Sequence, residues 1–269
     1  MKPWKGKWAL VTGASAGIGA EIARQLAADG VNLLLTARRT ERLNQLAAEL
    51  RSRHNILTEI CAADLSKPAG PGQLFAFVQQ KRLAIEVLIN NAGFGAYGEF
   101  RTVDLQRLLD MVQVNVASVV HLTHLFLPAM IERRSGYVMI VASTAAFQPV
   151  PYISTYAATK GFDLLFAEGL AEEMRPHGVR VSALCPGSTK SEFGEVSGQP
   201  QNIHVSARRE TAEKVARVGL EALAAGKPRV ISGLGNWLGV EGQRLAPRRL
   251  VTRMAARMFQ PPASAPETR

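Results

Sequence analysis

Cysteine is nearly absent from this chain: among 269 residues only Cys61 and Cys185 occur. Two cysteines make no disulfide framework, and both sit in apolar runs, where they read as small buried hydrophobes; a reducing cytoplasm is the expected location. Aromatic residues are few as well, at 6%. No Lys/Arg-rich block carries interleaved aromatics, so nucleic acid is not expected as the main partner despite a net charge of +10. The histidines (54, 121, 124, 177 and 204) show no metal-ligand spacing, and no metal is expected. Long apolar runs are also missing. "VASVVHLTHLFLPAMI" is interrupted by two His and a Pro and reads as a buried helix, and "WALV" after the basic start is too short for a leader.

Hydrophobic residues make up 47% of the chain, enough for a substantial core and too many for disorder throughout. Short Val/Ile/Leu-rich runs alternate with longer helical patterns. Strands are expected at 7–13, 31–37, within 55–64, within 86–93, and at 136–143, 179–187 and 228–233. Helices are expected at 17–29, 39–53, 72–82, 102–113, 115–134, 154–175 and 211–225. Near-continuous apolar strands alternating with helices indicate a parallel sheet covered on both faces. The expected fold is α/β: a Rossmann-type, doubly wound, parallel seven-stranded sheet in a single domain over 1–235, with ligands at the carboxyl ends of the strands.

The first strand runs into "TGASAGIG", and a helix follows. Gly13 permits the turn, Gly17 lets backbone approach a ligand, and Gly19 lets helix and strand pack closely. A helix N-terminus offers free N–H groups to a pyrophosphate, so this context points to dinucleotide binding. The second strand ends "TARRTERL", with Arg38 and Arg39 where an NAD-binding chain usually carries an acid. An arginine grips a 2′-phosphate bidentately, so NADP(H) is the expected cofactor. Arg39 is equally readable as the opening of a surface helix, and Ser15 is within reach of the same phosphate. Asp64 in "AADLS" can cap the next helix or bond an adenine amine. Asn90 and Asn91 in "NNAG" can close a turn or lie against the cofactor. "YISTYAATK" sets Tyr156 and Lys160 one helical turn apart, where the ammonium favours the phenolate and lowers the phenol pKa.

With Ser143 and Asn115 added, the chain resembles the short-chain dehydrogenase/reductase family over about residues 5–235, through TGASAGIG, Asp64, NNAG, Asn115, Ser143, Tyr156-x3-Lys160 and PGSTKS in order. "NNAGFGAYGEF" is similar to one broad bacterial branch. The resemblance implies that Tyr156 protonates the carbonyl oxygen and Lys160 holds the nicotinamide ribose. It further implies that Ser143 bonds the substrate oxygen and that Asn115 holds a relay water. It implies a cofactor site made by Gly13, Ser15, Gly17, Ile18, Gly19, Arg38, Asp64, Leu65, Asn91, Ala92, Gly93, Pro186, Gly187, Thr189 and Ser191, with Tyr156 and Lys160. Ala142 and Ser191 stand where relatives often carry Ser and Thr.

The implied activity is NADPH-dependent reduction of a ketone or aldehyde, or the reverse alcohol oxidation; a non-catalytic NADP(H)-binding sensor is the alternative. Phe94, Tyr97, Phe147, Pro149 and Phe193 are expected pocket walls for an apolar substrate. The polar segment 188–210 is expected to be a substrate lid. In 236–269, Leu250, Val251, Met254, Ala255, Met258 and Phe259 form one helical stripe, with Arg249, Arg253 and Arg257 off it. That stripe is expected to dock on the protein or another subunit in preference to an anionic membrane, with a disordered end. A homodimer or homotetramer built on the helices near 102–134 and 154–175 is expected.

Overall fold

A strand buried on both faces needs apolar side chains at nearly every position, and the Val/Ile/Leu runs meet that demand. The computed structural model describes residues 3–200 and 209–261. Its strands are β1 (Trp8–Thr12), β2 (Asn32–Ala37), β3 (Thr58–Ala62), β4 (Ile85–Asn90), β5 (Gly136–Val141), β6 (Val179–Cys185), β7 (Thr189–Lys190), β8 (Glu210–Thr211) and β9 (Arg229–Ile231). Seven of them form one parallel sheet in the order β3-β2-β1-β4-β5-β6-β9. The order reverses between β1 and β4, which opens a crevice at the carboxyl ends of these two strands. The expected single-domain doubly wound sheet is the observed one.

The helices are α1 (Gly17–Ala28), α2 (Thr40–His54), α3 (Gly70–Gln80), α4 (Leu105–Val112), α5 (Ser118–Glu132), α6 (Ser154–Met174), α7 (Phe193–Val196), α8 (Ala212–Ala224), α9 (Leu234–Gly242) and α10 (Arg248–Phe259). One core lies under α1, α2 and α8, around Ile22, Leu26, Leu46, Leu50, Val215 and Leu220. The other lies under α3, α5 and α6, around Leu74, Val78, Leu122, Phe126, Leu164 and Leu170. A third cluster, beyond the sheet, joins Leu108, Met111, Ile153 and Tyr156 to Ala255 and Phe259 of α10.

The two helices expected at 102–113 and 115–134 form one run, joined by a π-helical turn at Gln113–Ala117 that contains Asn115. By length and composition alone, 105–132 is long and apolar enough to cross a membrane, where the interrupted apolar run was expected to fall short. Here its α5 part packs on α3, β4 and β5.

The segment 188–210 is more structured than the expected loop. β7 and β8 pair in parallel, Thr189 with Glu210 and Lys190 with Thr211, and α7 stands between them in sequence. Residues 201–208 of the expected lid and the expected disordered end, 262–269, lie outside the described residues. The tail stripe is divided in two: Ala255 and Phe259 are buried, whereas Leu250, Met254 and Met258 are about half exposed. α10 therefore docks on its own chain with only part of its apolar face.

Candidate active site

The glycine turn after β1 is shaped by contacts that only glycine allows. Gly13 has φ +65, and a Cβ there would lie 2.8 Å from the Asn91 amide nitrogen and 2.9 Å from the Ala92 Cα. Asn91 itself is a fastener. Its Nδ2 donates to the carbonyls of Thr12 (2.8 Å) and Gly13 (3.3 Å), while its backbone N–H donates to Thr12 Oγ1 (2.9 Å). Both expected placements of Asn91 meet here: it lines the cleft, and its amide ties the ends of β1 and β4 together. Gly19 lies behind the same amide and does not line the cleft. Asn90 is internal too, donating to Thr123 Oγ1 at 3.0 Å.

α1 opens without a side-chain cap: Ala16 holds the cap position, and no acidic residue occupies the first turn. Its first N–H groups therefore have no side-chain partner and face the cleft, the arrangement that takes a phosphate. The cleft has a volume of about 530 Å³ and runs along the carboxyl ends of the strands. Ser15, Gly17, Ile18, Arg38, Asp64, Leu65, Ala92, Gly93, Pro186, Gly187, Thr189 and Ser191 all line it, with Ser143, Tyr156 and Lys160 at its centre. An uncapped helix start, a glycine turn and an exposed arginine at the β2 end together suit a dinucleotide.

At the β2 end, Arg38 is exposed and makes no ion pair among the described residues. Arg39, readable from sequence as a mere helix opener, also lines the cleft. Its Nη2 and Nε donate to Ser15 Oγ at 3.1 and 3.3 Å, and its Nη1 meets Glu192 at 2.7 Å. Arg42 meets the other oxygen of Glu192 at 2.5 Å, and the two guanidinium groups hold that carboxyl below its usual range. Glu192 thus latches the segment before α7 onto the start of α2. Asp64 Oδ1 accepts the Ser66 N–H (3.0 Å) and hydroxyl (2.8 Å), so the carboxylate closes a local turn and α3 starts later, at Gly70. Burial opposes its ionisation, but the Ser66 bonds and Arg38 hold its pKa below the ordinary value.

Ser143 follows β5 in an extended conformation, its Oγ accepting the Ala145 N–H at 3.1 Å and standing near enough to the Tyr156 phenol to favour its ionised form. Tyr156 and Lys160 stand on the first turns of α6, both buried. The Lys160 ammonium donates to the Val141 carbonyl (2.7 Å) and to Asp163 Oδ2 (2.9 Å), and lies 5.9 Å from the Tyr156 ring centroid. An ammonium has three donors, so one remains for the cleft. Asn115 accepts the Phe94 N–H at 3.1 Å and donates to the Phe94 carbonyl and Thr159 Oγ1, both at 3.0 Å. Its side chain is therefore first a clamp across the π-helical turn. A Cβ on Gly93 would stand 3.1 Å from Asn115 Oδ1 and 3.4 Å from Lys160 Nζ, so the two groups face one small space.

The Lys160 ammonium acts on Tyr156 in the expected direction, but burial outweighs it. Burial pushes the phenol above its ordinary value; Lys160 and the Ser143 hydroxyl pull it down, and Asp163 pushes it up again. The net direction is upward. Burial likewise works against the Lys160 charge, but Asp163 together with Tyr156 offsets it, and the ammonium is raised. The ammonium that acts on Tyr156 is also bonded to a carboxylate, Asp163, which sequence reasoning missed.

Of the expected apolar walls, Phe94 and Phe193 line the cleft, and Phe193 leans on Tyr156 with ring centroids 5.0 Å apart. Phe147 lies instead beneath Arg229, and Pro149 is outside the lining. Tyr97 stands behind the wall, its hydroxyl donating to the Phe259 carbonyl at 2.9 Å. The missed wall is α10: Ala255, Met258 and Phe259 close one side, with Val150 and Ile153 nearby. The i, i+4 stripe in the tail was the available signal.

A family model described as short chain dehydrogenase matches residues 7–202. The chain is 32% identical over 203 residues to a very-long-chain 3-oxoacyl-CoA reductase of Anas platyrhynchos, a match covering 73% of this chain and 64% of that one. The chain spans about half to two-thirds of the length of this relative and its counterpart in Pyrenophora tritici-repentis. A short-chain dehydrogenase from Sphingobium yanoikuyae, solved with NADPH, superposes with a TM-score of 0.81 at 27% identity, covering 98% of this chain and 99% of that one. A structure solved to explain 7β-hydroxysteroid dehydrogenase stereoselectivity has a TM-score of 0.85 at 26% identity, over 94% and 97% of the two chains.

Proposed function

Because the chain belongs to the short-chain dehydrogenase family, we propose that it is an NADP(H)-dependent reductase that turns a ketone or aldehyde with a bulky apolar body into an alcohol. The observation that carries the proposal is the convergence of Ser143, Tyr156 and Lys160 in a cleft whose far wall is apolar. When bound, the nicotinamide supplies a hydride to the carbonyl carbon. Everything else is done by this chain. Ser143 fixes the carbonyl oxygen by a hydrogen bond. Tyr156 gives that oxygen its proton, and a phenol held above its ordinary pKa is fully protonated at neutral pH, as a donor must be. Lys160 offers its remaining N–H to a ribose hydroxyl or to the phenol and is the proton source behind it. Asn115 keeps Phe94 and α6 spaced so that the cavity over Gly93 persists, and a relay water would sit there. Phe193 covers the phenol and limits water.

NADP(H) is preferred in this reading because β2 ends in Arg38 and Arg39 with no acid to hold a 2′-hydroxyl, and Ser15 is already gripped by Arg39. The substrate class follows from Phe94, Val150, Ile153, Met258 and Phe259 along the cleft. That an oxoacyl-CoA reductase is a relative and a hydroxysteroid dehydrogenase a structural neighbour supports the same class. Exposed Leu105, Leu109, Phe162 and Leu165 on α4 and α6 are consistent with a homo-oligomer built on those helices.

The test is NADPH oxidation with steroid, long acyl and small polar ketones, wild type against Tyr156→Phe. Equal rates for the two proteins remove the mechanism. Best turnover of small polar ketones removes the substrate class.

A further inference from the structure

Asp163 is fully buried, and the reading above gives it no role. Among the described residues it is the only carboxylate in the buried class. Its Oδ2 accepts from Lys160 Nζ at 2.9 Å, while Oδ1 has no hydrogen-bond partner. As packing, this is a poor choice: an apolar side chain of similar volume avoids the desolvation of two ions, and buried ion pairs often add nothing to stability. The carboxylate makes sense as a charge.

Tyr156, Lys160 and Asp163 lie on successive turns of α6 and together sum to zero when phenol and ammonium are both protonated. The surroundings do not change that sum. On β6, the Cys185 thiol is pushed up to about 12 by burial and stays neutral. On β9, Arg229 is paired with Glu168 of α6 at 3.1 Å and Glu241 of α9 at 3.4 Å, and Arg244 pairs with Glu241 at 3.0 Å, so two arginines balance two glutamates. β5 contributes only the Val141 carbonyl, the turn after it the neutral Ser143, and the π-helical turn only Asn115.

We propose that Asp163 is a positioning residue whose buried carboxylate pins Lys160 and holds the Tyr156–Lys160 pair in its fully protonated form, which sets the site to give a proton rather than to take one. The inference rests on the reading of Tyr156 as the proton donor. Its direction follows from charge alone. Removing an anion in contact with a coupled pair makes the first proton of that pair easier to lose, whichever group releases it.

The decisive variant is Asp163→Asn, which keeps an oxygen for Nζ and removes the charge; Asp163→Ser does the same with less volume, should the amide fold poorly. The direct readout needs no turnover. Ultraviolet titration of the nucleotide-free full chain, with and without Tyr156→Phe in each background, isolates the phenolate of Tyr156 by difference. In both Asp163 variants the phenolate is expected at a pH lower by about one unit or more, the size of a neighbouring charge's effect. The alkaline limb of NADPH-dependent ketone reduction is expected to move down with it. A phenolate that appears at unchanged or higher pH overturns the role of Asp163. A wild type that turns over no ketone defeats the proposed function, while the titration still decides what Asp163 does.

Discussion

Replacing Phe259 with alanine is expected to undock α10 and leave the sheet intact. α10 has twelve residues, about 18 Å of helix, and helices of this length are marginal in water without tertiary support. Its support is short and identifiable. Phe259 and Ala255 are buried against the cluster around Ile153 and Tyr156, and the Tyr97 hydroxyl donates to the Phe259 carbonyl. Burial of the phenylalanine is worth about 1.5–3 kcal/mol, the alanine methyl about 0.8, and the hydrogen bond about 1. Phe259→Ala removes the largest of these, about 1.5–3 kcal/mol, and raises the undocked population roughly 10- to 150-fold.

Hydrogen exchange is the assay. Amides of 248–259 are expected to lose protection by that factor while amides of β1, β4 and β5 keep theirs, because local opening need not involve the core. Since Ala255, Met258 and Phe259 form one wall of the cleft, KM for bulky apolar ketones is expected to rise and kcat to change less. Unchanged protection of α10 would refute the ledger; loss of protection throughout the sheet would refute the claim that the docking is local.

The remaining predictions concern the other end of the cleft and the chemistry. Tyr156→Phe is expected to cut kcat for reduction by about 10²–10⁴, with NADPH affinity, read by its fluorescence, nearly unchanged. Arg38→Ala is expected to weaken NADPH binding about tenfold or more, the worth of a charge-assisted hydrogen bond, and to leave NADH binding untouched. Glu192→Gln is expected to tighten NADPH binding at low salt, because Arg39 and Arg42 are then freed from the latch; calorimetric titration checks it. The Glu192 carboxyl has a depressed pKa in the folded chain, so its latch is present above the ordinary carboxylate range and is lost as pH falls through the depressed value. The contribution is small, because the group is 38% exposed and screened by solvent and salt.

The strands were readable because a doubly covered strand leaves a local trace, a continuous apolar run, and α1 was readable because the glycine turn precedes it. β7 and β8 left none: a two-residue strand carries no period, and its partner is distant in sequence. The residues converging on the cleft were legible through their motifs, but their electrostatics were not. Whether Lys160 acidifies Tyr156 depends on how deeply both are buried and on what the ammonium touches. Asp163 reads in sequence as one more polar residue on a helix. Arg39 and Asn91 show the same limit: residue type and strand-end position were correct, yet only the packing decides that one reaches Ser15 and the other braces the glycine turn. The tail stripe was visible as a helix face, and its division into a docked and an open half belongs to the tertiary fold.

The short parallel ladder between β7 and β8 has a consequence for how this scaffold can be remodelled. Its register sets Thr189 beside Glu210 and Lys190 beside Thr211, so the intervening chain departs from and returns to neighbouring points on a fixed frame. Doubling the length of a flexible loop costs only about 0.6 kcal/mol in closure entropy. Segments of other lengths and compositions can therefore be grafted between these two anchors, with Tyr156 and Lys160 on α6 left where they stand.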